Sequence, residues 1–529
     1  MFAYSRRIEN DEPQHLHVVW AWANGLLQYR DLFDNHTPLF HMIFSRIYLL
    51  FGERPDILVM MRLSLIPLYF LALWAIYLIG KSLYSKQVGI WSAIITGLSP
   101  SFFIVSLEFR ADDLWMLIWL MALAFLVNKP LKTSRLFVLG LLLGAALSTS
   151  MKTILLLLAL GLATTLVHLL IRIPAASFKK YLSNVLVLSA GLMVVPIVLI
   201  VFFSAKGALG SMYYSVIQHN IVPGMSQQRS FSTILSILLL TTGGIYLIWH
   251  TCADTTLLKH RLIIFLTYGL SMLGFYGFWP LITTQDFLPL MPLLIISATG
   301  VFIENFVIRS NSAKSSIYRW AMAAPIIVVT LQLYNLATNE SLWRDRTLQE
   351  SHMLAEVLQL THPNETIMDL KGETIFRKRT FYYVFEGITR KRIELGLIND
   401  TISEDIVREK TYVAVPDSGY FPARGRAFLN QNFLLVGDLR VAGKLLPAVS
   451  TNSGKDIIFD VSIPTRYVVA SDHFKVSGSL DGTIYSGARQ LNTGRHSFRP
   501  SMIDSGQLAI VWAPAIERGF SPFKLKHLS

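Results

Sequence analysis

The chain has 529 residues, 53% of them hydrophobic and only 15% charged, with a mean hydropathy of +0.47. Soluble domains carry about 25% charged residues, so this is the composition of a membrane protein. The net charge of +13 does not indicate nucleic acid, because many of the basic residues fall in short loops between apolar runs. The single cysteine, Cys252, excludes an intrachain disulfide framework.

The opening residues, MFAYSRRIEN, lack the apolar core of a cleavable signal peptide. Residues 10–40, NDEPQHLHVVWAWANGLLQYRDLFDNHTPLF, then pack acidic and histidine side chains between apolar ones. Leu16, Val19, Trp20, Ala23, Leu26 and Leu27 recur at helical spacing and predict an amphipathic helix over 13–28. Asp11 is placed to cap it, Pro13 suits its first turn and Gly25 lies near its end. Phe40, Ile43, Phe44, Ile47 and Leu50 form a second such stripe. Both helices are expected to lie flat in the bilayer interface, with Asp11–Glu12 before them and Asp34–Asn35–His36 between them. The purely structural reading of Asp11 is a helix cap, and that of His15 and His17 is interfacial surface. Asp11 and His15 stand four apart on one helix face, but two ligands do not make a metal site.

Ten apolar runs follow, at about 57–80, 88–107, 113–128, 136–149, 152–171, 184–203, 233–250, 261–281, 285–304 and 319–336. Alternate connections hold thirteen basic residues: Lys81, Lys86, Lys129, Lys132, Arg135, Arg172, Lys179, Lys180, Lys259, Arg261, Arg309, Lys314 and Arg319. The opposite short loops hold four, Arg110, Lys152, Lys206 and Arg229. The first set is therefore cytoplasmic. Residues 1–56, the EFRADD turn, the 204–232 loop and everything after 337 are then outside. An N-terminal segment that begins outside calls for an exporting helix ahead of Met1, so one further helix is expected there. Residues 338–529 change character, with short β-branched and aromatic runs such as KGETIFRKRTFYYVFEG and NFLLVGDLRVAG split by Gly, Asp, Asn and Pro. They predict a β-rich α+β soluble domain. The chain thus reads as an outer loop (1–56), an α-helical polytopic bundle (57–337) and a soluble domain (338–529).

The second outer turn, SLEFRADDLW, carries Glu108, Arg110, Asp112 and Asp113 where two spans meet the water. Solvated loop is the ordinary reading of such charges. Two acidic clusters on one side of a membrane are nonetheless the means to abstract a proton from a hydroxyl. Arg62, a turn inside its span, and Lys152, at the end of the STSMK turn, supply countercharge suited to a phosphate head group. Snorkelling accounts for each of them singly.

The order DE, amphipathic helix, YRD-x-FDNHTPL, R-A-D, a small-residue helix ending in Lys152, and QDFLPLMP resembles the GT-C membrane glycosyltransferases over about residues 10–305. It is most similar to the protein O-mannosyltransferase and lipid A aminoarabinose transferase group. The resemblance implies a GT-C helical fold and transfer of a sugar from a polyprenyl-phosphate carrier to an acceptor hydroxyl at the outer face of a bacterial inner membrane. It implies Asp11 of the Asp11–Glu12 pair as base, Asp112 as its catalytic companion, and Lys152 and Arg62 as carrier-phosphate ligands. Asp34, His36, Arg110, Asp113, Gln285 and Asp286 complete the expected substrate-binding set. Where relatives have Glu-Lys-Pro-Pro-Leu, this chain has Asn35-His36-Thr37-Pro38-Leu39, so Asp34 is expected to replace the carboxylate and His36 to meet phosphate when protonated. No cofactor or divalent metal is expected, since a carboxylate and a cationic clamp suffice for a phosphate leaving group. The rival reading is a multi-pass transporter or lipid flippase. That class places ionisable groups at the bilayer midplane and shows repeated halves, and neither feature is legible here.

Overall fold

The computed structural model describes residues 2–130, 132–171, 178–222, 224–225, 230–304, 316–339, 343–416, 419–447, 456–472, 476–501 and 506–523. Arg172, Arg229, Arg309 and Lys314, used above to orient the chain, lie outside the described residues, as does the side chain of Arg319. Two compact units are present. The first comprises Met1–Arg7, Asn35–Phe44 and Val59–Arg346; the second comprises Ile8–Asp34, Ser45–Leu58 and Thr347–Ser529. The segment read as one outer loop is thus divided between them.

Among the described residues, six helices are long and apolar enough to cross a membrane: Ile57–Leu83, Ala111–Asn128, Thr153–Leu170, Leu182–Ala205, Phe231–Thr251 and Thr255–Phe278. Thr133–Thr149, Met291–Phe302 and Ala323–Thr338 are shorter apolar helices. The run expected at 88–107 is two helices, Lys86–Leu98 and Pro100–Val105. Pro100 has no N–H to continue the ladder and its ring pushes Ser99 out of the helical region. The run expected at 285–304 opens as a 3-10 turn, Thr284–Phe287, and becomes α-helical only from Met291.

Within the first unit, helix Thr133–Thr149 lies backbone to backbone against helix Phe178–Ala205. A Cβ on Gly140 would meet the Leu188 carbonyl at 2.1 Å, and one on Gly144 the Leu192 carbonyl at 2.1 Å. Small residues permit such an approach where no hydrophobic force drives helices together. Trp115 and Trp119, both fully buried, anchor the core of this unit.

In the second unit eleven strands are described: β1 (Ile367–Met368), β2 (Val413–Ala414), β3 (Phe433–Val436), β4 (Leu439–Leu445), β5 (Ile457–Val461), β6 (Thr465–Ser471), β7 (Gly478–Leu480), β8 (Thr483–Ile484), β9 (Arg489–Leu491), β10 (Gly494–Pro500) and β11 (Leu508–Trp512). One sheet runs β1-β2-β4-β11-β6-β9, with β3 also on β4, and a second runs β5-β10-β7-β8. Among the described strands, only the β1–β2 pairing is parallel. Of residues 371–387, expected as strand, 371–386 form a loop that touches the sheet through one bridge between Ile367 and Arg379, and Gly387 opens a helix. Its polar side chains explain this, because they satisfy the loop's own backbone, as detailed below.

The first predicted helix is observed at Glu12–Ala23, but every residue from Glu12 to Ala21 is buried. It is a buried helix and not an interfacial one. Periodicity alone misses this, because Gln14 and His17 find their hydrogen-bond partners inside the unit. The second predicted helix is Leu39–Tyr48, with Phe40 and Phe44 buried and Ile43 exposed.

Candidate functional site

In the first unit, three interruptions between helices bring charged side chains together. Helix Ala111–Asn128 starts after an extended Arg110, which places Asp112 and Asp113 in its first turn, where the helix dipole favours anions. Lys152 is the cap residue of helix Thr153–Leu170. Asp286 belongs to the 3-10 turn, and its Oδ2 accepts the Thr283 amide at 2.9 Å in a capping box. The Lys152 ammonium lies 3.3 Å from Asp112 Oδ1 and also ion-pairs with Asp286. Arg110 Nε donates to Asp112 Oδ2 at 3.2 Å. Lys152 further sits 5.7 Å over the Trp115 ring, and Trp115 Nε1 donates to Thr153 Oγ1 at 2.8 Å, which fixes that ring beside the cluster.

Burial makes this arrangement costly to leave incomplete. Asp286 is fully buried, and Asp112, Asp113 and Arg110 are nearly so. Charges taken out of water persist only when paired and hydrogen-bonded, and here two cations answer the carboxylates around Lys152. His36 is within electrostatic reach of Asp112. Gln285 Nε2 donates to Glu108 Oε2 at 2.8 Å, and Arg6 reaches Glu108 Oε1 at 3.3 Å. Of the residues expected from sequence, Asp112, Arg110, Lys152, Asp286 and His36 are brought together. Asp113 is buried in the same helical turn, and Gln285 is turned to Glu108. Glu108 and Trp115 are additional members. Glu108 was readable in the acidic turn, whereas Trp115 was one apolar letter among many.

Arg62 does not join this cluster as a free phosphate ligand. Its guanidinium, 1% exposed, donates to the carbonyls of Ala3 at 2.8 Å, Arg6 at 2.7 Å and Arg7 at 3.0 Å. Sequence shows a charge inside a span, and the fold spends that charge on the N-terminal backbone.

The remaining expected residues are in the second unit. Asp11 makes no side-chain cap to its helix; its Oδ1 instead accepts from Lys371 Nζ at 2.7 Å. Glu12 is fully buried and accepts the Glu9 amide at 2.8 Å, so of the DE pair only Asp11 presents a partly exposed carboxylate. Asp34 is also fully buried. It accepts from Gln14 at 3.2 Å and Gln28 at 2.6 Å, a structural tie and not an open substrate contact. Among the described residues, no group of three or more His, Cys, Asp or Glu is arranged to hold a metal ion.

Comparison with known proteins adds to this geometry. Residues 35–199 match the family described as dolichyl-phosphate-mannose-protein mannosyltransferase. No curated protein matches the sequence. The crystal structure of ArnT from Cupriavidus metallidurans bound to undecaprenyl phosphate superposes with a TM-score of 0.54 at 12% identity, covering 83% of this chain and 95% of that one. The apo form of the same protein gives 0.50 at 12% identity, over 83% and 94%. A likeness at that identity speaks for the fold. The chain shares the fold of that protein, and residues 35–199 match the mannosyltransferase family model.

Proposed function

We propose that the protein is a glycosyltransferase that moves a sugar from a polyprenyl-phosphate carrier to an acceptor hydroxyl. The observation that carries this reading is Lys152, held between Asp112 and Asp286 with Arg110 alongside, on a GT-C fold. Two cations positioned by buried carboxylates suit a leaving phosphate, whose charge rises as the bond to the anomeric carbon breaks. Undecaprenyl phosphate bound to ArnT supports the same class of carrier.

The acceptor oxygen attacks the anomeric carbon, the bond from that carbon to the phosphate oxygen breaks, and the carrier phosphate departs with the bonding pair. The acceptor proton passes to Asp11, the base, and the sugar is transferred with inversion. Lys152 and Arg110 neutralise the phosphate, so the scheme requires no divalent metal. A hexosyl or pentosyl group fits the class. The acceptor is a lipid, glycan or protein.

The basic loops support a bacterial inner-membrane setting with the second unit on the periplasmic face. Residues 8–34, 45–58 and 347–523 fold together, so they share one side of the membrane and the chain between them crosses an even number of times. The test is transfer of radiolabel from undecaprenyl-phosphomannose in membranes containing the full chain. Transfer that is lost in Asp11→Asn and Lys152→Met supports the reading. Transfer undiminished in both variants overturns it.

A further inference from the structure

Residues 369–379 form a loop whose geometry is over-determined. Glu373 accepts the amides of Leu370 at 3.0 Å and Lys371 at 2.8 Å, fixing the backbone that carries Lys371. Asp369, fully buried, accepts from Thr374 Oγ1 at 2.8 Å and Arg379 Nε at 2.5 Å. Arg379 Nη2 returns to the carbonyls of Asp369 at 3.1 Å and Leu370 at 3.0 Å.

The loop is also docked on the helix that follows Asp11. Gly372 has φ +91°, and a Cβ there would meet His17 Cβ at 2.7 Å. His17 Nδ1 donates to the Ile375 carbonyl at 2.8 Å. Arg377 Nη1 donates to Glu53 Oε2 at 3.1 Å, and Trp20 Nε1 to Glu53 Oε1 at 3.1 Å, so loop and helix share one carboxylate. The product of all these bonds is one ammonium, that of Lys371, set 2.7 Å from Asp11.

Asp11 departs from its local rule in the same place. An aspartate at a helix N-cap ordinarily accepts its own helix amides, worth about 1 kcal/mol; here it makes no such bond. A partly exposed ion pair returns little stability in exchange. Local rules broken without a stability gain mark functional positions.

We propose that Lys371 is a positioning residue for the base. Its ammonium fixes the Asp11 carboxylate in the orientation that receives the acceptor's proton, so the C-terminal residues take part in the chemistry. This rests on the reading of Asp11 as base given above. Lys371 does not touch the reacting atoms; it acts through Asp11.

The test uses the full chain in membranes, with radiolabelled undecaprenyl-phosphomannose as donor. Lys371→Met, Lys371→Arg, Asp11→Asn and the double variant Asp11→Asn/Lys371→Met are compared. Lys371→Met is expected to lower kcat roughly tenfold to a hundredfold, the scale of a misplaced catalytic group. The donor KM and the melting temperature stay as in the unmodified chain. Lys371→Arg restores most of the rate, and Lys371→Met costs nothing further in the Asp11→Asn background. Full activity of Lys371→Met beside an inactive Asp11→Asn overturns the positioning role while leaving the base. An active Asp11→Asn overturns the base and this inference with it. Equal losses in both backgrounds, or a loss accompanied by a lower melting temperature that arginine does not rescue, shows a role elsewhere and also overturns it.

Discussion

The Lys152 ammonium lies 3.3 Å from the Asp112 carboxylate, from a helix that starts well after the one bearing its partner, and Trp115 from Asp112's own helix lies beneath the same ammonium. The cation is therefore held from below and from the side. Lys152→Met removes it from between two buried carboxylates and is expected to cost roughly 3 kcal/mol of stability. Transfer should fall about a hundredfold or more, the scale seen when one donor to a developing negative charge is removed. Lys152→Arg should keep the fold and part of the rate. Initial transfer rates beside melting curves in micelles read both effects, and Lys152→Met turning over at the unmodified rate would sink the phosphate role.

Gly144 and Gly161 make a matched pair of tests. A Cβ on Gly144 would strike the Leu192 carbonyl, whereas one on Gly161 meets nothing within 4 Å. Gly144→Ala should destabilise by about 1–3 kcal/mol through overpacking. Gly161→Ala should be neutral or stabilise by about 0.5–1 kcal/mol. Only Gly144→Ala is expected to lower the melting temperature.

His17 gives the second unit a pH dependence. Burial pulls its imidazole below the ordinary 6.5, against the opposing pull of Asp369. Above that pH the ring is neutral in both folded and unfolded chains. Below it the unfolded chain takes up a proton that the folded chain resists, so stability falls as the pH drops. Hydrogen exchange at amides 370–376, corrected for intrinsic rate, should speed up as pH falls below about 6.5. In His17→Asn that pH dependence should flatten.

Arg62 tests whether a charge inside a span serves structure or substrate. Its bonds to the Ala3, Arg6 and Arg7 carbonyls predict that Arg62→Met loosens residues 2–7, which limited proteolysis detects. The expected cost is about 2–4 kcal/mol for several lost charged hydrogen bonds. Affinity for undecaprenyl phosphate should change less than twofold in whatever protein remains folded; a selective loss of that affinity would reinstate Arg62 as a phosphate ligand.

Much of this was legible before the fold was known, and the illegible remainder has a common cause. Hydropathy finds helices such as Ala111–Asn128 and Phe231–Thr251, because crossing a bilayer imposes length and apolarity on the sequence itself. The turn carrying Arg110 and Asp112 stood out because charges beside a bilayer are conspicuous. Glu12, Asp34 and Arg62 looked equally conspicuous and proved to be buried ties. An ionisable residue is the same letter whether it faces substrate or satisfies an internal amide. Only tertiary contacts, such as those of Gln14 and Gln28 with Asp34, separate the two cases. Lys371 was invisible for the converse reason, as a lysine in a polar loop far along the chain from Asp11.

The second unit joins Ile8–Asp34 and Ser45–Leu58 to residues from Thr347 onward, with nearly the whole helical bundle synthesised in between. The N-terminal helix therefore leaves the ribosome long before the loop that receives His17 or the lysine that meets Asp11. Loop closure over that length adds little to the thermodynamic cost, which grows only with the logarithm of the span, but contacts so distant form late. Until residues beyond 370 are made, Gln14 and Gln28 have their partner Asp34 nearby, while His17 and Asp11 await partners not yet made. A chain made only as far as its helical bundle thus lacks the surroundings of its proposed base, so that catalytic competence waits on residues synthesised after the membrane-embedded part.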